Sequence, residues 1–177
     1  KKLLRDVFKS GDCWFNTGDL VRDQGFKHIQ FVDRLGDTFR WKGENVATTE
    51  VEAAFKHVDQ IEQAVVYGVQ VPNADGRAGM AAITLHGSVD EFDGKALAEV
   101  LTSSLPAYAV PLFVRVRDEH EITGTFKNRK VELKKEGFDP ARSADPVFML
   151  DQNLGEYTAL SQERFQELEA GKKCIVD

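Results

Sequence analysis

Three short turns and one late loop hold the residues of this chain whose types and spacing could do chemistry. Asp19 closes Thr17-Gly18-Asp19, Arg34 stands in Asp33-Arg34-Leu35-Gly36-Asp37, and Gly43 and Glu44 lie in Lys42-Gly43-Glu44-Asn45. Lys127 ends the run Thr123-Gly124-Thr125-Phe126-Lys127. A carboxylate at a tight turn can accept two hydrogen bonds from vicinal hydroxyls, which is how an acidic residue fixes a ribose. A guanidinium offers a planar fork of donors to ribose or phosphate oxygens. A residue without a Cβ crosses backbone regions closed to others, so Gly36 suits a hinge, and Gly43 lets a ligand approach the backbone. The layout suits a nucleotide held at the seam between two folding units. Each residue also has a plainer reading. Asp19 could stabilise its own turn, Arg34 could make a surface pair with Asp33 or Asp37 worth little stability, and both glycines could be ordinary turn residues.

The elements that must position these residues follow from the patterning. From Cys13 to Val32 the alternation in CWF, DLV and HIQFV, broken at Gly18 and at Asp23-Gln24-Gly25, predicts short antiparallel strands. Asp37 to Trp41 continues as a further strand. Thr49 with Glu52 makes a capping box for a helix whose Val51, Ala54, Phe55 and Val58 recur on one face. Ile61 to Val71 and Ala78 to His86 are two central strands, joined by a loop over Asn73 to Gly76 where positive φ is tolerated. A helix from Gly94 to about Ser104 is capped by Asp93 and stopped by Pro106, and Leu112 to Val116 is a third strand. Lys127 onward is a short basic helix closed at Gly137. The tail, with PVFMLD, QNLGEYTAL and an amphipathic SQERFQELEA, packs back on the domain and then frays. The expected fold class is α+β: a small domain with a roughly three-stranded central sheet flanked by helices, plus a short β-hairpin.

Composition narrows the functions. A net charge of −6 and a pI near 5.3 argue against a general nucleic-acid binder, which needs a clustered basic face. Cys13 and Cys174 lie at opposite ends without metal or disulfide spacing, which suits a reducing, cytoplasmic setting. His28, His57, His86 and His120 form no i,i+4 pair, and no protein metal site is expected. No apolar run reaches the roughly 18 to 20 residues of a membrane span, so membrane contact would be peripheral. The opening KKLLRDVFKSGDC carries neither a signal peptide nor a domain start, as in a piece cut from something longer.

The order TGD, DR-x-GD, KGEN-x-x-x-x-EVE and a late TGTFK, running from Trp14 to about Tyr157, resembles the C-terminal third of the adenylate-forming acyl-CoA synthetases. The wording DRLGDTFRWKGENVATTEV resembles most their fatty acid transport and very-long-chain acyl-CoA synthetase branch. The resemblance implies a fatty acid–CoA ligase that uses ATP, with Mg²⁺ bound mainly through ATP and an absent N-terminal domain, and CoA as the acceptor. It implies that residues 1–35 end that N-terminal domain and that 36–177 form a mobile C-terminal domain. It assigns the ribose of ATP or acyl-AMP to Asp19, a nucleotide contact to Arg34, the domain pivot to Gly36, and the pantetheine path to Gly43 and Glu44. It assigns adenylation to Lys127, although many relatives read TGK where this chain reads TGTFK, which leaves Lys130 as a rival. Arg115, Arg117, Lys127, Arg129, Lys130, Lys134 and Lys135 then form either a solvated face or a landing strip for CoA phosphates or an anionic membrane. No phosphate loop of the adenylating type and no acyl pocket occur in the chain, so it should not complete the reaction alone. Two rival functions fit the same motifs: an acyl-AMP ligase loading a carrier protein, and a non-catalytic uptake or membrane-docking module.

Overall fold

The computed structural model describes residues 2–117 and 126–171, the side chains of 126–129 excepted. Three small antiparallel pairs come first. They are β1 (Leu3–Arg5) with β2 (Cys13–Phe15), β3 (Asp19–Gly25) with β4 (His28–Arg34), and β5 (Phe39–Trp41) with β6 (Glu44–Val46). Helix α1 (Thr48–Phe55) follows directly. The body is built from β7 (Ile61–Val69), β8 (Ala78–Leu85), α2 (Gly94–Ser104), β9 (Phe113–Arg117), α3 (Phe126–Glu136), β10 (Val147–Asp151), β11 (Glu156–Ala159) and α4 (Gln162–Glu169).

The five later strands make one sheet in the order β11-β10-β9-β8-β7. Only the β8–β9 pair is parallel, because α2 carries the chain back across the sheet between them. The expected three strands are therefore extended by two. The tail segments expected only to pack back pair instead as β10 and β11, with Phe148 opposite Val114 and Tyr157 opposite Leu150. Tyr157 is buried and its hydroxyl donates to the Pro111 carbonyl at 2.6 Å, which ties the outer strand to the entry of β9.

Alternation along β9 divides the core between the two faces of the sheet. Phe113 stacks on Phe138 at a centroid distance of 4.2 Å, and Phe138 meets Phe165 of α4 edge-on at 5.3 Å. Arg115, two residues on and facing the same way, is fully buried. Its guanidinium pairs with Glu136 at the end of α3 and donates to the Gly137 carbonyl at 2.7 Å. The buried charge is thus matched by a carboxylate and by a helix C-terminus, where cations are favoured. Phe148 faces the other way and packs on Phe92 at 4.5 Å, just ahead of α2. Helix α1 runs along β7 with Val51, Ala54 and Phe55 buried, as the spacing predicts.

The hairpin β5–β6 is fixed to this body by a slot. Gly68 and Gly79 are partners in register, and a Cβ on Gly68 would lie 2.5 Å from the Cβ of Phe39. The two glycines leave room for the Phe39 ring, which is buried there. A backbone hydrogen bond of 2.6 Å from Arg77 to the Arg40 carbonyl closes the contact.

Caps differ in how they follow the sequence. Asp93 caps α2 as expected, accepting from Lys95 and Ala96 at 3.1 and 2.9 Å. The capping box expected at Thr49 and Glu52 does not form. Thr49 donates to the Val32 carbonyl at 2.5 Å and Glu52 accepts from the Val66 amide at 2.9 Å, so both side chains are spent on tertiary contacts.

The first hairpin depends on one carboxylate. The Trp14 side chain, then the backbone amides of Phe8, Val7 and Lys9, hold Asp12 at a pKa of about 2 against an ordinary 3.8, with desolvation opposing them. A depressed carboxyl pKa stabilises the fold above the unfolded value, and that stabilisation is lost as pH falls through the folded one. Titration of the Asp12 side-chain carbonyl by NMR should therefore show protonation near pH 2, with loosening of β1–β2 confined to the window from about 4 down to 2. A midpoint near 4 would remove this role.

Candidate functional site

Asp19 and Arg34 are brought together by register. They are cross-strand partners at the open end of β3–β4, with Arg34 Nε 3.8 Å from Asp19 Oδ1. The turn before Asp19 is held by its neighbours: Asn16 Oδ1 accepts from the Gly18 amide at 2.9 Å and Thr17 Oγ1 from the Asp19 amide at 3.2 Å. The Asp19 carboxylate is thus not consumed in closing its own turn. It points to Arg34, and the two side chains are 33% and 61% exposed, open to a ligand from solvent. The surface partner of Arg34 is Asp19, not Asp33 or Asp37.

Asp33 has a different task. It is 2% exposed, and its carboxylate accepts from the Thr48 amide at 2.6 Å, the Thr48 hydroxyl at 3.1 Å and the Arg34 amide at 2.7 Å. Helix α1 begins after Ala47, which offers no side-chain cap. Asp33, 15 residues earlier in the chain, supplies the missing acceptor at the positive end of the helix. The Thr48 hydroxyl in turn accepts from Lys130 Nζ at 3.2 Å, and the same ammonium lies 3.1 Å from Glu52 Oε1. A continuous chain of polar contacts therefore runs from β4 through the start of α1 to α3.

Gly36 and Gly43 part company here. Gly36 sits in a turn closed by the Asp37 and Thr38 amides on the Arg34 carbonyl at 2.9 and 3.2 Å. A Cβ added to it would meet no atom within 4 Å, and its φ lies outside the left-handed region. Gly43 has φ +85° after Lys42 at +51°, the two positive values that a two-residue hairpin turn demands. Glu44 opens β6 opposite Trp41 and is exposed. Lys127 belongs to the first turn of α3, but its side chain and the preceding Thr123-Gly124-Thr125 lie outside the described residues.

The basic group expected late in the chain is not a single solvated face. Arg115 is in the core, Arg117 lies 3.4 Å from Asp145, Lys130 reaches Glu52, and Lys134 lies 3.8 Å from Asp37. Among the described residues no group of three His, Cys, Asp or Glu could hold a metal ion. No helix among them is long and apolar enough to cross a membrane.

Comparison with known proteins identifies the family of part of the chain. Residues 50–127 match the family model of the AMP-binding enzyme C-terminal domain. The chain is 53% identical over 173 residues to the medium/long-chain-fatty-acid–CoA ligase FadD6 of Mycobacterium tuberculosis, covering 98% of this chain and 29% of that protein. The chain carries an AMP-binding enzyme C-terminal domain. It is also 49% identical over 176 residues to human long-chain fatty acid transport protein 3, covering 98% of this chain and 25% of that one. Among solved structures it resembles the o-succinylbenzoate CoA synthetase of Bacillus subtilis in complex with its acyl-adenylate intermediate. There the identity is 27% and the TM-score 0.53, over 63% of this chain and 22% of that one. The chain thus spans less than a third of the length of the curated relatives it matches.

Asp33, Thr48, Glu52 and Lys130 were not singled out as a group by sequence reasoning. One signal was available, since α1 opens with no capping residue at Ala47 and so needs an acceptor from elsewhere. Removing that acceptor by Asp33→Ala should cost about 2–3 kcal/mol in urea denaturation, with Asp33→Asn recovering part of it. The two glycines give a sharper contrast. Gly36→Ala should leave stability unchanged or raise it by up to ~1 kcal/mol, whereas Gly43→Ala should lower it by about 1 kcal/mol or more. Equal effects at both positions would contradict the distinction.

Proposed function

We propose that the protein to which this chain belongs is an AMP-forming fatty acyl-CoA ligase for long or very long chains, with residues 1–35 ending its N-terminal domain and 36–177 forming its mobile C-terminal domain. The reading is carried by the 53% identity, across 98% of the chain, to a fatty-acid–CoA ligase. The pairing of Asp19 with Arg34 on an accessible edge is consistent with it. In the first half-reaction the fatty acid carboxylate attacks the α-phosphorus of ATP, giving acyl-AMP and diphosphate. In the second, the CoA thiol attacks the acyl carbonyl and releases AMP.

The chain's own residues divide these tasks. Asp19 accepts from the ribose hydroxyls, and Arg34, beside it, donates to ribose or phosphate oxygens. Gly36 is the pivot, and Gly43 with Glu44 borders the path of the CoA arm. Lys127 places an ammonium where negative charge is shared among carboxylate, α-phosphate and leaving diphosphate, which lowers the barrier most when water is excluded. Lys130 is already committed to Glu52 and Thr48, which favours Lys127 for this role. Mg²⁺ and the acyl pocket belong to the rest of the protein. The exposed Phe26, Ile29 and Phe31 of the β3–β4 hairpin supply an apolar surface for that part to cover. A cytoplasmic setting with peripheral membrane contact suits a long-chain substrate.

Separated half-reactions test the proposal in the full-length protein. Lys127→Ala should collapse acyl-AMP formation by roughly 100-fold or more while leaving thioester formation from supplied acyl-AMP largely intact. Lys130→Ala should weaken the fold more than it alters the balance between the steps. Equal loss in both half-reactions from Lys127→Ala would remove that residue's role. Turnover with a holo-carrier protein but not with free CoA would replace the acceptor.

A further inference from the structure

Three hydrogen bonds join the end of β4 to the start of α1, and all three span the turn at Gly36. The Asp33 carboxylate accepts from the Thr48 amide at 2.6 Å and from the Thr48 hydroxyl at 3.1 Å, and the Val32 carbonyl accepts from the Thr49 hydroxyl at 2.5 Å. Every acceptor precedes Gly36 in the chain and every donor follows it. Asp33 and Thr48 are both buried at this contact. Each side also belongs to a different unit. Asp33 is held in the β3–β4 hairpin opposite Leu20, whereas α1 lies on β7 with Val51, Ala54 and Phe55 buried. A large rotation about the backbone bonds of Gly36 carries α1 and the five-stranded sheet away from β4 together, and it cannot spare these bonds.

We propose that Asp33 is a positioning residue that latches one pose of the hinge, closed in one half-reaction and released in the other. The latch is also the cap of α1. Ala47 offers no side-chain acceptor, so the first turn of the helix has its cap only while Asp33 stands over it. A carboxylate bonded to amides at the positive end of a helix is held more strongly than a neutral acceptor, and that excess weights the closed pose. The Thr49 hydroxyl adds a second, independent bond to the same seam. Gly36 itself has no side chain with which to favour either pose, so the weighting comes from the residues on the two sides of it. This inference rests on the proposed hinge at Gly36.

Two stalled states of the full-length protein separate the latch from the hinge beneath it: fatty acid with α,β-methylene-ATP, and an acyl-sulfamoyl adenosine with CoA. Small-angle X-ray scattering should differ between them, and hydrogen exchange at the Thr48 amide should be roughly 10-fold faster in one than in the other. Asp33→Ala should shift the ratio of adenylation to thioester formation by roughly 3- to 30-fold, the factor that a lost helix cap carries, with partial recovery in Asp33→Asn. Thr49→Val removes one hydroxyl and keeps the shape of the side chain. It should shift the ratio in the same direction by roughly 2- to 10-fold, and Thr49→Ser should restore it. Scattering that changes while Thr48 exchange and the ratio stay constant overturns the latch and leaves the hinge standing. Identical scattering in the two states overturns the hinge itself. Opposite shifts from the two variants, or equal loss in both half-reactions, reduce Asp33 to a structural role.

Discussion

A buried carboxylate can be kept only where several donors converge on it, and Asp33 is the place where this chain meets that condition. Its partners come from two elements: the Arg34 amide beside it on β4 and the amide and hydroxyl of Thr48 at the start of α1. Satisfying Asp33 therefore fixes the end of β4 against the start of a helix 15 residues later. Everything between them, the turn at Gly36 and the β5–β6 hairpin, becomes a closed loop with both ends anchored. The hairpin is then pinned a third time by Phe39 over Gly68 and Gly79.

That constraint explains why the polar groups around it have such specific partners. Thr48 spends its hydroxyl hydrogen on Asp33, which leaves its lone pairs for Lys130. Lys130 satisfies Glu52, and Glu52 accepts the Val66 amide of the edge strand β7. An edge strand with unpaired amides is a liability, and a carboxylate from α1 covers one of them. The far end of α3 is held by another mechanism, the buried guanidinium of Arg115 on Glu136 and Gly137. Helix α3 is consequently anchored at its end by the sheet and along one face by α1 and the turn.

Much of this was legible in the sequence wherever a local signal sufficed. Runs rich in β-branched and apolar residues marked β7 and β8, Asp93 marked the start of α2, and Gly137 marked the end of α3 with φ +61°. The strands β10 and β11 were harder, because PVFMLD and EYTA are short and gain their stability only from pairing on β9. The false capping box at Thr49 and Glu52 failed for a related reason. Both side chains fit the local motif, but Val32 and Val66 offered them better partners across the fold. Within the site, the residue types of Asp19 and Arg34 were readable, but their meeting depends on the register of β3–β4 and a bulge between Leu20 and Val21. Asp33 looked like a surface partner for its neighbour because nothing local shows that a helix will need it.

The two glycines carry the last step. Gly43 is used for its conformation, since a two-residue hairpin turn with both φ values positive strains any residue with a Cβ. Gly36 is not used in that way. Its φ is ordinary, the space around it is empty, and a larger residue would fit the recorded conformation. A glycine still costs conformational entropy on folding, so its retention here has no return within this arrangement. Under the hinge proposed for it, the return would be freedom to leave the arrangement. Gly36 lies inside the loop that Asp33 and Thr48 close, so a large turn there would have to release the bonds from Thr48 to Asp33 and from Thr49 to the Val32 carbonyl.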